Sequence, residues 1–472
     1  MRLPSCYNFY TILYMVAKDF VNYQFSSYYF ITSLFHVSII KTLLGGIFFM
    51  NAAITTLVIL AVMTVLFVVG TIPLGLVSMA GAILLACLGV ITKADVFSAF
   101  SGGTIVLLGA MMMVGQALFH TGVADKLAEI MVKITGTTEN GIILATVSVA
   151  LLLSSICSGV GVVAMMLPIV IAMSMKAGVS VSRQLIPLSF AASVGCNLTL
   201  IGAASNVSTA GLIEDMGIKF LTFFELGKVG LPLCIAFLLY FLTVGKKLLT
   251  PGDTSDKAYL EEYTKREPGK KFDNVKGGIC IIVLICILVA MVFANSQWPM
   301  YFIAAIGCVI LIATGCLSES QAMRAVDWPT LFIVGGMSAV SKAMSVSGAG
   351  KMITDFVVSM LGTSPNKMMF LAFVFLVTML LTNMMMNTST VVLVTPLFVP
   401  IAVAMNINPV AIGVAICIAA SAPFLTPVGS GTNTLCIRPG NLGFRDFFVP
   451  GFGLSVLTMA VSLVLIPVFW SL

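Results

Sequence analysis

The chain has 472 residues, of which 59% are hydrophobic and only 9% are charged, and its formal net charge is +6. Soluble domains average about 25% charged and roughly 45–50% apolar residues, so this composition excludes a water-soluble protein. The basic residues are too few and too scattered for a nucleic-acid surface, so no nucleic-acid partner is expected and the chain is predicted to be a polytopic membrane protein.

The N-terminal segment, residues 1–49, shows no clear pattern. It mixes Tyr, Asn, Ser, Arg and Lys, and its moderately apolar part, 28–49, still contains His36 and Lys41. It fits neither a signal peptide nor a clean span. Two interpretations stay open: an extra interfacial segment, or a translation start at Met50, directly before the first long apolar run.

Long uncharged stretches follow along the rest of the chain. A helix needs about 20 apolar residues to cross the hydrocarbon layer, so these stretches have room for about 10–12 passes or part-passes. They do not alternate polar and apolar residues as barrel strands do, and they therefore predict an all-α fold. The stretches without Asp, Glu, Lys or Arg are 42–92, 140–175, 184–213, 229–245, 277–318, 368–437 and 447–472.

A charged loop interrupts this pattern in mid-chain. Between Lys246 and Lys276 lie eight basic and six acidic residues, with Pro-Gly turn signals. The basic excess predicts that the linker, 247–276, is cytoplasmic. It would separate a first repeat, 50–246, from a second repeat, 277–472.

The two halves resemble each other at an offset of about 227 residues. Duplicated halves are typical of secondary transporters, whose binding site lies at the bilayer midplane between inverted-topology repeats, although a channel can also be duplicated. We therefore expect two such repeats with re-entrant hairpins and broken helices. The matched pairs are 121–140 with 347–366, Pro168 with Pro396, and 200–206 (LIGAASN) with 427–433 (PVGSGTN).

Each repeat also contains a short segment after its first apolar stretch. In 123–134 the charged residues share one helical face and the apolar residues share the other, which is typical of a helix lying in the membrane interface. Its partner, 351–361, carries less charge but has the same place in the repeat. The alternative interpretation is a solvated loop helix.

Four polar interruptions then break the apolar runs, two in each repeat. Unwound backbone is costly in lipid unless it is buried in protein or lines a wet cavity, so the matched breaks predict one central cavity. The interruptions are 153–161, 195–206, 381–390 and 426–433.

The chemistry of these breaks is specific. Helix N-termini suit an anion, and unwound carbonyls with hydroxyls suit a hard cation such as Na⁺. The apolar runs that carry the breaks contain no acidic residue, which favours Na⁺ over H⁺ as the coupling ion. For any single Ser, Thr or Gly here, close helix packing is the alternative explanation.

At these residues the chain resembles the divalent anion/Na⁺ symporter family, within the superfamily that includes arsenite and Na⁺/H⁺ carriers. The resemblance covers about residues 50–472. That family has a Ser-Asn-Thr motif at each of two hairpin tips, and the corresponding residues here are 158–160 (Ser-Gly-Val) and 386–388 (Met-Asn-Thr). The loops 200–206 and 425–433 resemble the family's paired glycine-containing loops.

The resemblance implies a role for each matched position. It places the first Na⁺ site at Ser154, Ser158, Gly159 and Gly202, and the second at Thr382, Met385, Asn387 and Gly429. It places the substrate ligands at Ser158, Gly159, Asn387 and Thr388. It also implies a homodimer in which a transport part moves like an elevator against a dimerising part.

The leading hypothesis is a secondary transporter in the cell membrane (the cytoplasmic membrane in a prokaryote), importing a small divalent anion with Na⁺. The anion would be a C4-dicarboxylate, citrate or sulfate, and the other partner is the lipid bilayer. The alternatives are cation/H⁺ exchange or arsenite efflux on the same scaffold, or a channel. The chain lacks HExxH and GxSxG, and His36 and His120 stand alone, so no enzyme is expected.

Overall fold

The computed structural model describes residues 51–124, 126–127, 130, 136, 138–249, 273–294, 297–353, 355 and 366–472. The N-terminal segment 1–49 and most of the predicted linker 247–276 lie outside the described residues. The two predicted interfacial segments, 123–134 and 351–361, also lie largely outside them.

Every regular element in the described residues is helical, because long apolar runs must pair their backbone groups internally to enter lipid. The first half contains α1 (Ala52–Val69), α2 (Leu74–Cys87), α3 (Lys93–Ser98), α4 (Gly103–His120), α5 (Glu139–Ser154), α6 (Gly159–Ala177), α7 (Val181–Gly195), α8 (Ala204–Asp215) and α9 (Gly227–Tyr240). A π-helical turn, Phe241–Gly245, extends α9 to Leu248.

The same order recurs in the second half. It contains α10 (Asn274–Val292), α11 (Met300–Ala313), α12 (Glu319–Ala325), α13 (Trp328–Ser347), α14 (Lys367–Thr382), α15 (Asn387–Ala404), α16 (Pro409–Ala420), α17 (Gly431–Gly440) and α18 (Phe444–Phe469). Each helix from α1 to α9 therefore has a counterpart nine helices later.

Local signals are duplicated along with the helices. Thr92 caps α3 in a reciprocal capping box with Asp95, and Ser318 caps α12 in the same way with Gln321. Such boxes satisfy two orphan N–H groups at once, so both short helices begin sharply. Pro168 and Pro396, matched in the sequence, each lie at the tenth position of their helix, α6 and α15.

Helix length separates full crossings from part-crossings. Eight helices of the described residues are long and apolar enough to span a membrane: α1, α4, α6, α9 with its extension, α10, α13, α15 and α18. The helices α5 and α14 have 16 residues each, which corresponds to about 24 Å against roughly 30 Å of hydrocarbon. The predicted all-α, polytopic fold class with part-passes is confirmed.

Helix contacts across the molecule occur in reciprocal pairs. α2 packs on α13 while α11 packs on α4, and α8 packs on α15 while α17 packs on α6. Reciprocal contacts of this kind are expected when two structurally related halves pack against each other. Residues 56–472 accordingly form one compact unit in which the two predicted repeats interleave, and residues 1–55, of which 51–55 are described, form the other. The inversion of one repeat relative to the other stays a prediction.

Candidate functional site

The first hairpin consists of α5, a non-helical tip (155–158) and α6. The hydroxyls of Ser154 and Ser155 donate to the carbonyls of Ala150 and Leu152, both at 2.6 Å. Hydroxyls that compete for backbone acceptors in this way weaken the last turn of a helix, and α5 ends here. The second hairpin has the same form, with α14, a tip at 383–386, and α15.

A loop follows each hairpin and interrupts the next pair of helices. The first loop, 196–203, joins α7 to α8 through two 3-10 turns, and the second loop, 421–430, joins α16 to α17. Threonine ties each loop to the hairpin tip of its own repeat: the Thr199 hydroxyl donates to the Ser155 carbonyl, and the Thr426 hydroxyl donates to the Asn383 carbonyl at 2.7 Å. Each loop therefore holds the non-helical backbone of its own hairpin.

An asparagine closes each loop. The side-chain amide of Asn206 donates to the Cys196 carbonyl at 3.0 Å, and that of Asn433 donates to the Pro423 carbonyl at 2.7 Å. Both bonds run ten residues back along the chain. The backbone polar groups that unwinding frees are thus paired within the protein, as burial requires.

Glycines allow two helices to pack closely against the backbone of these loops. A methyl group at Gly230 of α9 would collide with the carbonyl oxygen of Asn197, and one at Gly451 of α18 would collide with that of Phe424. Any larger residue at these positions would displace the loop backbone.

The residues predicted for the second Na⁺ site come together. The Thr382 hydroxyl donates to Asn387 Oδ1 at 2.9 Å and to the Ala420 carbonyl at 2.7 Å. A methyl group at Gly429 would lie 3.0 Å from the Thr382 carbonyl oxygen. Met385 is buried in the tip between them, and its N–H donates to the Leu381 carbonyl at 3.0 Å.

The residues predicted for the first Na⁺ site are less closely joined. The side chain of Ser154 abuts Gly195, directly before the first loop, and Gly202 abuts the Cys196 carbonyl within that loop. A methyl group at Gly159 would lie 3.0 Å from the Ala192 carbonyl oxygen, one turn earlier on α7. The side chain of Ser158 is exposed, and these contacts do not include it.

Unsatisfied oxygens mark the first loop and the start of α8. Asn197 Oδ1, Ser205 Oγ and Asn206 Oδ1 are buried without a hydrogen-bond partner, and each residue is at most 2% exposed. A buried acceptor left unpaired costs about 1–3 kcal/mol. Hard oxygen donors of this kind are the ligands that a Na⁺ ion takes.

The second loop and the start of α17, which follows it, contact both hairpins. A methyl group at Gly431, the first residue of α17, would lie 2.9 Å from Val160 Cγ2 in the first turn of α6, and the Thr432 hydroxyl lies 3.3 Å from that of Ser193 on α7. Gly429 of the loop lies against the end of α14 and the first residue of the second tip, Asn383. The two hairpins therefore share a common neighbour, residues 429–431.

Helix N-termini carry the positive charge of this region. The first intrahelical bonds of α6 and α15 are donated by Val162 and Thr390, so the three preceding N–H groups of each helix lie outside the helical ladder. Ser158 and Met386, the residues before the two helices, provide no side-chain cap. Each N-terminus carries about half a positive charge, and Thr388, a predicted substrate ligand, lies in the first turn of α15.

The lysine in α13 has a structural partner. Lys342 Nζ lies 2.6 Å from Asp95 Oδ1, and the hydrogen bonds from Lys342 and Thr92 lower the pKa of that carboxyl to about 2. Lys342 and Asp95 line a cavity of about 1180 Å³ between α3 and α13 on one side and α15 on the other. A second cavity, of about 390 Å³, reaches from Asp215 to Leu200 of the first loop. None of the predicted site residues lines either cavity.

Comparison with known proteins identifies the family of this chain. The chain matches the citrate transporter family over residues 58–361 and 290–472, which is more than half of its length. It belongs to the citrate transporter family. It is therefore a multi-pass membrane transporter and not an enzyme, as predicted.

Relatives of this citrate transporter family member cover most of the chain at low identity. YfbS of Escherichia coli strain K12, an uncharacterized transporter, is 20% identical over 87% of this chain and 98% of its own length. SdcS of Staphylococcus saprophyticus, a sodium-dependent dicarboxylate transporter, is 21% identical over 84% of this chain and 82% of its own length. The crystal structure of the Alcanivorax borkumensis YdaH transporter covers 89% of this chain and 98% of its own, with 16% identity and a TM-score of 0.60, and has the same fold.

Several supporting residues escaped prediction from the sequence. Thr199 and Thr426 lie 227 residues apart, at the offset of the repeat, and that spacing could have singled them out. Asn383 accepts from the Leu425 N–H at 2.8 Å and donates to the Met379 carbonyl at 2.7 Å. Its counterpart is Ser155, so no shared residue type pointed to it.

Proposed function

We propose that this citrate transporter family member couples the entry of a small divalent anion to Na⁺ by alternating access. The anion is a C4-dicarboxylate, citrate or sulfate, and it is held at the two hairpin tips. SdcS, the sodium-dependent dicarboxylate transporter of Staphylococcus saprophyticus, supports the coupling ion and the substrate class.

The anion site is proposed at Ser158, Gly159, Asn387 and Thr388. Two long helices, α6 and α15, begin at these residues with N–H groups outside the helical ladder. Such groups, with the helix dipoles, stabilise negative charge where no basic side chain is present. The runs 140–175 and 368–437, which contain both hairpin tips, have no Lys or Arg.

The cations are proposed at the contact of each tip with its loop. Ser154, Ser158, Gly159 and Gly202 would hold the first Na⁺, and Thr382, Met385, Asn387 and Gly429 the second. Unwound carbonyls and hydroxyls suit this ion, and the buried oxygens without partners near the first loop support the first site.

Movement between two bundles is proposed as the means of alternating access. The cavity of about 1180 Å³ lies between α3 and α13 on one side and α15, which belongs to a hairpin, on the other, and α13 also packs directly on α15. Ser338 of α13 donates to Asp215 of α8 at 2.5 Å at the edge of this cavity. A cavity between the packed helices gives one bundle room to slide against the other.

The observation that carries the proposal is the contact of both hairpins with one short segment, through Gly429 of the second loop and Gly431 at the start of α17. It favours a single binding region between the repeats, which is where duplicated carriers bind their substrate.

Uptake into proteoliposomes tests the proposal. We expect labelled succinate, citrate or sulfate to accumulate only with an inward Na⁺ gradient, and Asn387→Ala to abolish accumulation without loss of folded protein. Asn408→Ser, which removes an amide at the start of α16 but keeps a capping hydroxyl, is the control. Unchanged transport by Asn387→Ala would rule out this site, and uptake that ignores Na⁺ would rule out the coupling.

A further inference from the structure

Apolar side chains are exposed at the junction of the two hairpin tips. Val160 is 43% exposed, Met386 is 50% exposed and Val428 is 75% exposed. Each adjoins a residue of the proposed site or of the loop that connects its parts: Gly159, Asn387 and Gly429 respectively.

Contacts of the second loop and of the start of α17 link the segments that carry these side chains. Val160, in the first turn of α6, lies against Gly431, three residues beyond Val428. Gly429, directly after Val428, lies against the carbonyl of Thr382 at the end of α14, where the tip containing Met386 begins. Val160, Met386 and Val428 therefore belong to segments that meet at residues 429–431, and we treat their exposed side chains as one apolar surface.

This surface does not face lipid. The N–H groups in the first turns of α6 and α15 lie outside the helical ladder, and the adjoining residues Ser158 and Met386 leave them uncapped. Unpaired N–H groups in hydrocarbon cost several kcal/mol each. The tips must therefore meet water or a bound anion, and the apolar side chains beside them meet the same occupant.

We infer that the transported anion is a carboxylate with an apolar carbon chain, held by its carboxylate at the helix N-termini and by its chain against Val160, Met386 and Val428. This inference rests on the proposed function and extends its substrate class from C4-dicarboxylates to dicarboxylates with longer carbon chains. Sulfate has no apolar part, and citrate carries a hydroxyl and three carboxylates on a short backbone. Neither anion therefore covers the exposed side chains of Val160, Met386 and Val428. Unbranched dicarboxylates longer than succinate satisfy both halves of the site.

Ligand-induced thermal stabilisation of the purified protein in NaCl tests the inference. The probes are α,ω-dicarboxylates from succinate to suberate, together with citrate and sulfate. Each buried methylene should tighten binding about threefold to fourfold, so affinity should rise along the series and exceed that of sulfate and citrate. A flat or falling series, with Na⁺-dependent succinate binding intact, would overturn the inference and leave the proposed function standing.

Substitutions test whether Val160, Met386 and Val428 cause the dependence of affinity on chain length. Val160→Thr with Met386→Ser should flatten the chain-length series while succinate still binds. The control pair, Val309→Thr with Met323→Ser, changes exposed residues of α11 and α12 and should leave the slope unchanged. An unchanged slope in the first pair, or in Val428→Ser if that pair does not fold, would overturn the assignment. Failure of every anion to bind or to be transported would overturn the proposed function and this inference together.

Discussion

The first loop, 196–203, and the second loop, 421–430, occupy equivalent places in the two halves but differ in how far their polar groups are satisfied. Both are tied to a hairpin tip by threonine and closed by asparagine. Asn433 also donates to the Thr426 carbonyl and accepts from the Ser189 hydroxyl at 2.5 Å. Its counterpart Asn206 keeps a buried Oδ1 without a partner.

This difference between the two loops separates the features that any unwound segment needs for stability from those that belong to one loop. The backbone constraints are the same in both halves, because any unwound segment must have its carbonyls and N–H groups paired. Among the described residues of the two loops and of the helices that follow them, the buried side-chain oxygens without a partner belong to Asn197, Ser205 and Asn206, on the side of the first loop. The first loop therefore offers side-chain oxygens to a cation, whereas in the second half a buried unpaired oxygen lies in the first turn of α15, at Ser389. Four experiments test whether the two loops differ in this way.

The largest effect is expected where a glycine supports each loop. Gly230→Ala and Gly451→Ala place a methyl group against the carbonyls of Asn197 and Phe424, so each should cost at least about 1–3 kcal/mol and sharply lower the yield of folded protein. Size-exclusion profiles and melting curves measure this loss. Gly278→Ala, with no atom within 4 Å of the added methyl, is the control. A wild-type melting temperature in either variant would contradict the shared support of the loops.

The next effect concerns the two asparagines. Asn433→Leu removes the two bonds donated by the Asn433 amide and leaves the Ser189 hydroxyl without its acceptor, whereas Asn206→Leu removes one donated bond and also an unpaired buried oxygen. Because unmade buried bonds cost about 1–3 kcal/mol each, the Asn433 variant should melt at a clearly lower temperature than the Asn206 variant. Equal melting temperatures would show that the second loop is no better satisfied than the first.

A smaller effect is expected from the threonines. Thr199→Val and Thr426→Val each remove one hydroxyl bond to a hairpin-tip carbonyl, worth about 1 kcal/mol, and Thr426→Val also removes the acceptor of the Gly429 N–H. Both should raise the Na⁺ concentration for half-maximal uptake, because a released carbonyl is a poorly positioned cation ligand. Uptake measured across a Na⁺ series provides the test, with Thr243→Val, in the extension of α9, as the control. A response in only one of the two variants would contradict equivalent roles for the tips.

The smallest effect is expected from a substitution that adds a hydrogen bond to the unpaired Asn206 Oδ1. At the offset of 228 residues that relates α5 to α14, Cys417 on α16 corresponds to Ser189, which donates to Asn433. The thiol of Cys417 interacts with Thr209, one turn after Asn206 on α8. If the two halves are equivalent here, Cys417→Ser should give Asn206 Oδ1 the hydroxyl donor that it lacks and raise stability by about 0.5–1.5 kcal/mol. A melting curve checks the gain, and Ser189→Cys should show the reverse. If Cys417→Ser lowers the melting temperature, the two loops are not related in this way.

Much of the architecture was predictable from the sequence. The uncharged runs predicted helices in lipid, and the paired motifs predicted interruptions at the residues where α5, α7 and α14 end. The fourth predicted interruption, 426–433, begins six residues after the end of α16 at Ala420. The match of Pro168 with Pro396 predicted equivalent positions in two helices. These features are local, because the cost of a charge or an unpaired backbone group in hydrocarbon acts on each residue separately.

Tertiary structure decided which atoms meet. The pairing of Thr382 with Asn387 spans five residues and follows from the tip itself, but the pairing of Ser189 with Asn433 spans 244 residues. The support of the loops by Gly230 and Gly451 likewise depends on how α9 and α18 pack. Periodicity and composition determine which faces are buried, whereas contacts across hundreds of residues depend on the packing of many helices at once, and that packing leaves oxygens unpaired beside one loop and pairs them in the other.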